Sequence, residues 1–416
     1  MEKVSSGFYI YGDSDNQNLM VLNIELADEI NPQKMEEAIN KALLIHQNIK
    51  VKLVWENNNF YFEQNDKPFY ITQKEKVTLI TDTNDYLFGV TIKGNEFIMY
   101  MSHALADGDT MSPFIKCCIL YYYSLLGINE FDEILEQRSK KYTNMQKYQN
   151  PYELEKLKEI KLNKETVKND NLRFSDLKSS RKQYVETLKV SHDKLTDLAR
   201  SFESDKMFTI LAILADAILE IEESGENVSA YIAMDMKRAL GIRFATHECI
   251  SHNRLCLGND ANLSLEERAK AYQKAWNDSE PQKRGLEAFR SSYEIVKTFQ
   301  KDKIGYSKKN ILYKHLCDIQ IMNQDTFSFS MMTFINQHEN LKKYVKSLYA
   351  YGINLVTDIL FEIHQVGDLE CLTVTYCEEA DKYIQNIVKK FDDLGILESN
   401  KKIDIPQVGI DISKVL

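Results

Sequence analysis

Among the eight histidines of the chain, His103 has neighbours whose types suit acid–base chemistry. It closes an apolar stretch, Phe97 to Met101, and is followed at once by Ala-Leu-Ala-Asp107-Gly108. A neutral imidazole accepts a proton from a hydroxyl, amine or thiol near neutral pH with little tuning, which is the work of a general base. The plainer alternative is a histidine that caps its own loop. Asp107 could orient the ring as a triad acid does, or point away and hold the loop through an arginine elsewhere. Four residues across a turn leave both arrangements open. Gly108 is expected to supply a backbone conformation that residues with a side chain resist, a geometric rather than chemical role.

Other constellations carry less. His247-Glu-Cys-Ile-Ser-His252 resembles a metal motif, but HExxH sets its histidines four apart, and five apart on a helix turns them away from each other, so no metal is expected. Seven cysteines form no CxxC pair and read as reduced, mostly buried thiols of a cytoplasmic protein. A hydrolase using Cys249 or Cys256 would need a thiolate of lowered pKa in an electropositive site, for which the sequence holds no sign. GxGxxG, GxxxxGK[ST] and GxSxG are absent, which argues against dinucleotide enzymes, P-loop NTPases and α/β-hydrolases. Tyr121 to Tyr123 and Cys117-Cys118 are read as packing.

Several elements must position His103. Residues 19–26 (LMVLNIEL) read as a buried strand, and Asn31-Pro32 starts a helix with Met35, Ala38, Ile39, Ala42 and Leu43 on one face. Short strands follow at 49–55 and 60–62, then a hairpin of 87–92 and 97–101 around Lys93-Gly94-Asn95-Glu96. The last strand is apolar on both sides and should be buried on both. A helix is expected from Asp109 or Thr110 to Gly127, and a charged, exposed helix over 153–170. The second half reads as a strand at 184–190, helices at 192–202 and 207–221, a strand at 227–236 and a helix at 265–276. Strands at 326–332, 355–363 and 369–376 and a helix at 380–393 complete it.

The 416 residues carry a formal net charge of −10, so an anionic ligand would need a local basic patch, and nucleic acid or an anionic membrane surface is not expected. The apolar run from Cys117 to Leu126 is far short of the roughly 20 residues that a membrane helix needs. The first residues lack a secretory-signal pattern. With roughly 150 residues per domain, the chain is long enough for two large lobes.

His103 to Gly108 resembles the HxxxDG signature of the CoA-dependent acyltransferase superfamily, which includes chloramphenicol acetyltransferase, condensation domains, BAHD acyltransferases and alcohol acetyltransferase-like proteins. The strand LMVLNIEL, the segment ALLIHQNIKVKL and DGDTMSPFIKCCILYYYSLLG are similar to its N-terminal lobe. MFTILAILADAIL and VSAYIAMDMKR follow in the order of its second half. The resemblance implies an α/β (α+β) fold of two lobes, each a mixed sheet flanked by helices, with a tunnel between them and His103 at its middle. The expected division is an N-terminal lobe at 1–145, a charged connection at 146–180 and a C-terminal lobe at 181–416.

The resemblance further implies that His103 is the general base and that Asp107 is structural, paired with an arginine of the second lobe. Arg238 is the candidate and Arg243 the reserve. Ser330 or Thr333 is the candidate oxyanion donor, in place of the missing DFGWG loop, with an ordinary strand hydroxyl as the alternative. The first histidine of the HHxxxDG form is replaced by Ser102. The implied activity is acyl transfer from acyl-CoA or a carrier-bound phosphopantetheine thioester to an alcohol or amine, with no permanently bound cofactor. A free-standing condensation-type enzyme joining carrier-bound substrates is the alternative, and a catalytically silent binding protein is another. A monomer is expected.

Overall fold

The computed structural model describes residues 2–11, 18–144, 147–162, 171–174, 182–322, 325–353 and 357–416. Four antiparallel strands form the sheet that carries His103, in the order Val345–Ile353, Leu19–Leu26, Glu96–Ser102, Phe88–Lys93. Alternation of side chains explains its double burial. Phe97, Met99 and Met101 pack with Leu22, Ile24 and the helices Pro32–Ile45 and Gly108–Leu125. Ile98 and Tyr100 point the other way, to Leu19, Val21 and Tyr351. The first helix starts where Pro32 fixes the backbone and the Asn31 side chain accepts the Lys34 N–H at 3.0 Å.

The second sheet has seven strands, in the order Ile250–Gly258, Val228–Asp235, Phe327–Ile335, Ile359–Val366, Leu369–Cys377, Gln183–Ser191, Leu397–Ile403. The pairings of Phe327–Ile335 with its two neighbours are parallel and the rest antiparallel. One face is apolar: Ile232, Phe329, Phe361, Ile363, Leu372, Val374 and Leu188 are buried with the helices Lys206–Leu219, Leu265–Asp278 and Asp381–Asp393. The other face alternates to polar side chains, and the strand Val345–Ile353 of the first sheet packs against part of it. The second half of the chain therefore contributes a strand to the first sheet. Gln407–Ile410 likewise pairs in parallel with Lys76–Leu79.

One local expectation fails. Residues 153–162 form no α-helix but two short 3₁₀ turns, Pro151–Glu153 and Glu155–Glu159, with extended backbone at Leu154 and Ile160. Leu157 is drawn into a cluster with Met236, Leu240 and Phe289, so tertiary burial overrides the charge pattern; residues 163–170 lie outside the described residues. The segment after His247, to which the sequence reading gave no element, is a strand, Ile250–Gly258. The sequence reading also passed over the helices Pro281–Phe299 and Tyr306–Met322. The first of these contains Gly285, where a Cβ would come within 3.1 Å of the Met236 sulfur, so glycine is what lets that helix approach.

Candidate active site

The strand Glu96–Ser102 delivers His103 into a tight turn, where its backbone N–H donates to the Asn18 carbonyl at 2.9 Å. Ala104, Leu105 and Ala106 are buried, which anchors the turn. Asp107 then caps the helix Gly108–Leu125: one carboxylate oxygen accepts the Thr110 N–H at 2.7 Å. Its other oxygen accepts the N–H of Cys249 at 2.8 Å, from the second half of the chain. The aspartate thus ties the loop to the opposite side of the site.

The Asp107–Arg238 pair implied by the resemblance is not formed. Both Asp107 oxygens are occupied by backbone donors, and Arg238 is exposed in the turn after Val228–Asp235. The reserve, Arg243, is also exposed, with its guanidinium over the Phe244 ring. The cation beside the motif is Lys237, which pairs with Asp109 and, at 3.2 Å, with Asp235. Burial works against its charge, but the carboxylates of Asp107, Asp109 and Asp235 outweigh it and hold the ammonium above its ordinary pKa. Gly108 is also reassigned. It is the first helical residue and its φ is not positive; an added Cβ would meet only the Met332 sulfur, at 3.4 Å.

Around the imidazole both halves supply polar groups. The Nδ1 of His103 is buried and lies 3.9 Å from Glu248 Oε2. Apart from the carbonyl of its own residue, Nδ1 has no hydrogen-bond partner among the described residues, and neither has Glu248 Oε2. Tyr9 closes the group: its hydroxyl donates to Glu248 Oε1 at 3.1 Å and its ring lies 5.2 Å from that of His103. Burial lowers the His103 pKa below its ordinary 6.5, opposed by the Asp107 charge and its own carbonyl. Burial, then Asp107, pushes Glu248 up to about 8, with the Tyr9 hydrogen bond pulling the other way. At neutral pH the imidazole is uncharged and therefore able to accept a proton.

His252, stacked on Tyr231 with ring centroids 4.5 Å apart, is lowered to about 4 by burial and by His103. Ser330 lies on the polar face of the seven-stranded sheet, half-buried and in register with Glu362. Thr333, three residues along the strand, is exposed, with its hydroxyl 3.4 Å from Gln365 Oε1. Cys249 is fully buried and burial pushes its thiol far up, which removes the thiolate that a cysteine hydrolase needs. His247 stacks on Phe62, and among the described residues no His/Cys/Asp/Glu group is arranged to hold a metal. No helix among them is long and apolar enough to cross a membrane.

The sequence reading missed Tyr9, Glu248 and His252. The signal was present for one of them: Ile-Ser-His252-Asn-Arg-Leu alternates as a strand does, and a strand turns alternate polar residues to one face.

A cavity of about 380 Å³ opens where the two halves meet beside the helix Gly108–Leu125. Lys116, Arg138, Lys141, Lys237 and Arg243 line it against a single carboxylate, Asp109. Thr333 is also at its wall. In a chain of net charge −10 this is a local concentration of positive charge.

The fold is the two-lobed fold seen in solved acyltransferase and condensation-domain structures. The trichothecene 15-O-acetyltransferase TRI3 from Fusarium sporotrichioides superposes with a TM-score of 0.62 at 12% identity, over 95% of this chain and 94% of that one. TRI101 from F. sporotrichioides, in complex with coenzyme A and T-2, gives 0.57 at 9% identity over 97% and 100%. The condensation domain of the monacolin K polyketide synthase MokA gives 0.51 at 10% identity over 94% and 95%. No family model and no curated protein matches the chain by sequence.

Proposed function

We propose that the protein is an acyltransferase that moves an acyl group from a thioester to an alcohol or amine, with His103 as general base. The observation that carries this reading is the neutral, part-exposed imidazole whose Nδ1 is buried against Glu248, so that Nε2 is left to meet a substrate. In the proposed reaction, Nε2 takes the proton of the acceptor hydroxyl or amine as that atom attacks the thioester carbonyl carbon. The tetrahedral intermediate then collapses with cleavage of the C–S bond, and the sulfur leaves as the free thiol after receiving the proton from Nε2. Glu248 is a positioning residue that stabilises the imidazolium when ionised. Ser330 is the favoured donor to the oxyanion, since it shares the polar face with His252 and Thr333 does not.

The basic cavity supports a donor that carries phosphate, as acyl-CoA and carrier-bound phosphopantetheine both do. It also keeps open the second reading, a condensation-type enzyme working on carrier-bound thioesters. The test is chromatographic measurement of the free thiol released from a panel of acyl-CoAs with pooled alcohol and amine acceptors. The expected outcome is release by wild type that is lost in folded His103→Ala. Equal release by both proteins overturns the role of His103. No release from acyl-CoA, with release from acylated carrier proteins, selects the second reading, and no release from either leaves a silent binding protein as the better account.

A further inference from the structure

The polar face of the seven-stranded sheet has a pattern that the reaction at His103 does not by itself require. Strand register places Thr187, Thr373, Glu362 and Ser330 in one row across four strands. The parallel pairing Ile232↔Phe329, continued by one residue, puts Ala233 beside Ser330, and Ala233 in turn pairs with His252. The row therefore runs Thr187, Thr373, Glu362, Ser330, Ala233, His252. Its two smallest side chains separate two large ionisable ones. Three strand spacings make the distance between the Cα atoms of Glu362 and His252 roughly 14 Å.

The neighbouring rows carry bulk, with Tyr231 and Leu360 on one side and Met332 and His364 on the other. Small side chains at Ala233 and Ser330 between larger ones leave room for a trough, with His252 at one end and Glu362 at the other, and His103 is near enough to His252 to act on its charge. Ala233, Ser330, Glu362 and His252 all remain partly accessible, whereas Ile232, Phe329 and Phe361 on the opposite face are buried.

Glu362 differs from the other acids of the site. Among the described residues no cation pairs with it, and burial alone, with no neighbouring charge, pushes its carboxyl up to about 7. Beside it in the row, the hydroxyl of Thr373 is buried and finds no hydrogen-bond partner among the described residues, nor does the Nδ1 of His364 two residues along the strand. A part-buried carboxyl flanked by unpartnered polar atoms is stable as an anion only when a positive group joins it. An ammonium group offers that charge and three hydrogen-bond donors.

We propose that this trough is the acceptor subsite and takes an amino alcohol or a diamine, whose ammonium group sits against Glu362 and Thr373 while its hydroxyl or second amine lies beside His103. The ammonium is not the nucleophile, because it has no free electron pair; the attacking atom is the far end of the same molecule. The inference rests on the acyltransferase reading for what happens at His103, but not for the binding itself.

The test is calorimetric titration of the full chain with α,ω-amino alcohols of increasing length and with the matched diols. Wild type, Glu362→Gln and His103→Ala are compared. The expected result is that wild type binds one length of amino alcohol about tenfold or more tightly than its diol. Glu362→Gln abolishes that preference, and His103→Ala keeps it. Below neutrality, binding also releases a proton from Glu362, seen as a dependence of the heat on the buffer. Equal binding of amino alcohol and diol by wild type overturns the proposal even if Glu362→Gln does not fold, and so does a preference that survives in Glu362→Gln. Retention of the preference in a protein that transfers no acyl group would sink the acyltransferase reading and leave the subsite standing.

Discussion

Glu248, buried against the imidazole of His103, and Glu362, on the polar face of the seven-stranded sheet, are two carboxyl groups that burial raises, to about 8 and about 7. Their surroundings differ. Glu248 is held by the Tyr9 hydroxyl and faces His103 Nδ1, so its partners come from the protein. Glu362 has no charged partner in the described chain. The contrast teaches that a raised carboxyl pKa reports loss of water and nearby negative charge; what the group is for depends on what stands opposite it. A carboxyl facing a protein imidazole tunes that imidazole, and one facing an open trough is available to a ligand.

The largest expected effect tests the common reference of both groups. His103→Ala should lower kcat by roughly 10²- to 10⁴-fold, the range for loss of a general base, measured as thiol release with the fold checked by circular dichroism. A smaller effect would leave Glu248 with nothing to tune.

Glu248→Gln should lower kcat by roughly tenfold with little change in KM, and should remove the upper step of the pH–rate profile, which the wild type shows towards about 8. The groups facing this carboxyl are Tyr9, His103, Asp107, Tyr152 and Cys249; burial holds the histidine below its ordinary 6.5 and the two tyrosines and the cysteine above their ordinary values. The same variant has a stability signature of definite sign. The unfolded carboxyl ionises near 4.5 and the folded one near 8, so between these values rising pH favours the unfolded chain. The loss is complete above about 8 and is no more than about 5 kcal/mol, at about 1.4 kcal/mol per pKa unit. The melting temperature of Glu248→Gln should therefore gain on wild type as pH rises across that window. A constant difference would mean that Glu248 is not desolvated.

A more modest effect is expected away from both carboxyls. On the proposed reading of the basic cavity as the site of the donor's phosphates, Arg138→Ala combined with Lys141→Ala should raise KM for acyl-CoA several-fold and weaken its dependence on salt, with kcat nearly unchanged. The smallest is Arg238→Ala, which should leave both kcat and stability within experimental error, since Arg238 is exposed and Asp107 is satisfied without it. A large loss there would restore the arginine pairing that the family resemblance implies.

The sequence by itself determined the strand that ends at Ser102, the turn with His103, a helix starting shortly after Asp107, and the α/β two-lobed fold through its resemblance to the HxxxDG superfamily. These rest on alternation, periodicity and capping, which involve residues within a few positions of one another. Tertiary structure alone decided that Asp107 binds the Cys249 N–H rather than Arg238, that Glu248 and Tyr9 close on His103, and that His252, Ala233, Ser330 and Glu362 share one row. Those partners are separated by tens to hundreds of residues. Their meeting depends on strand register and on the packing of the two halves, and a shift of one residue would turn every side chain of the row to the opposite face.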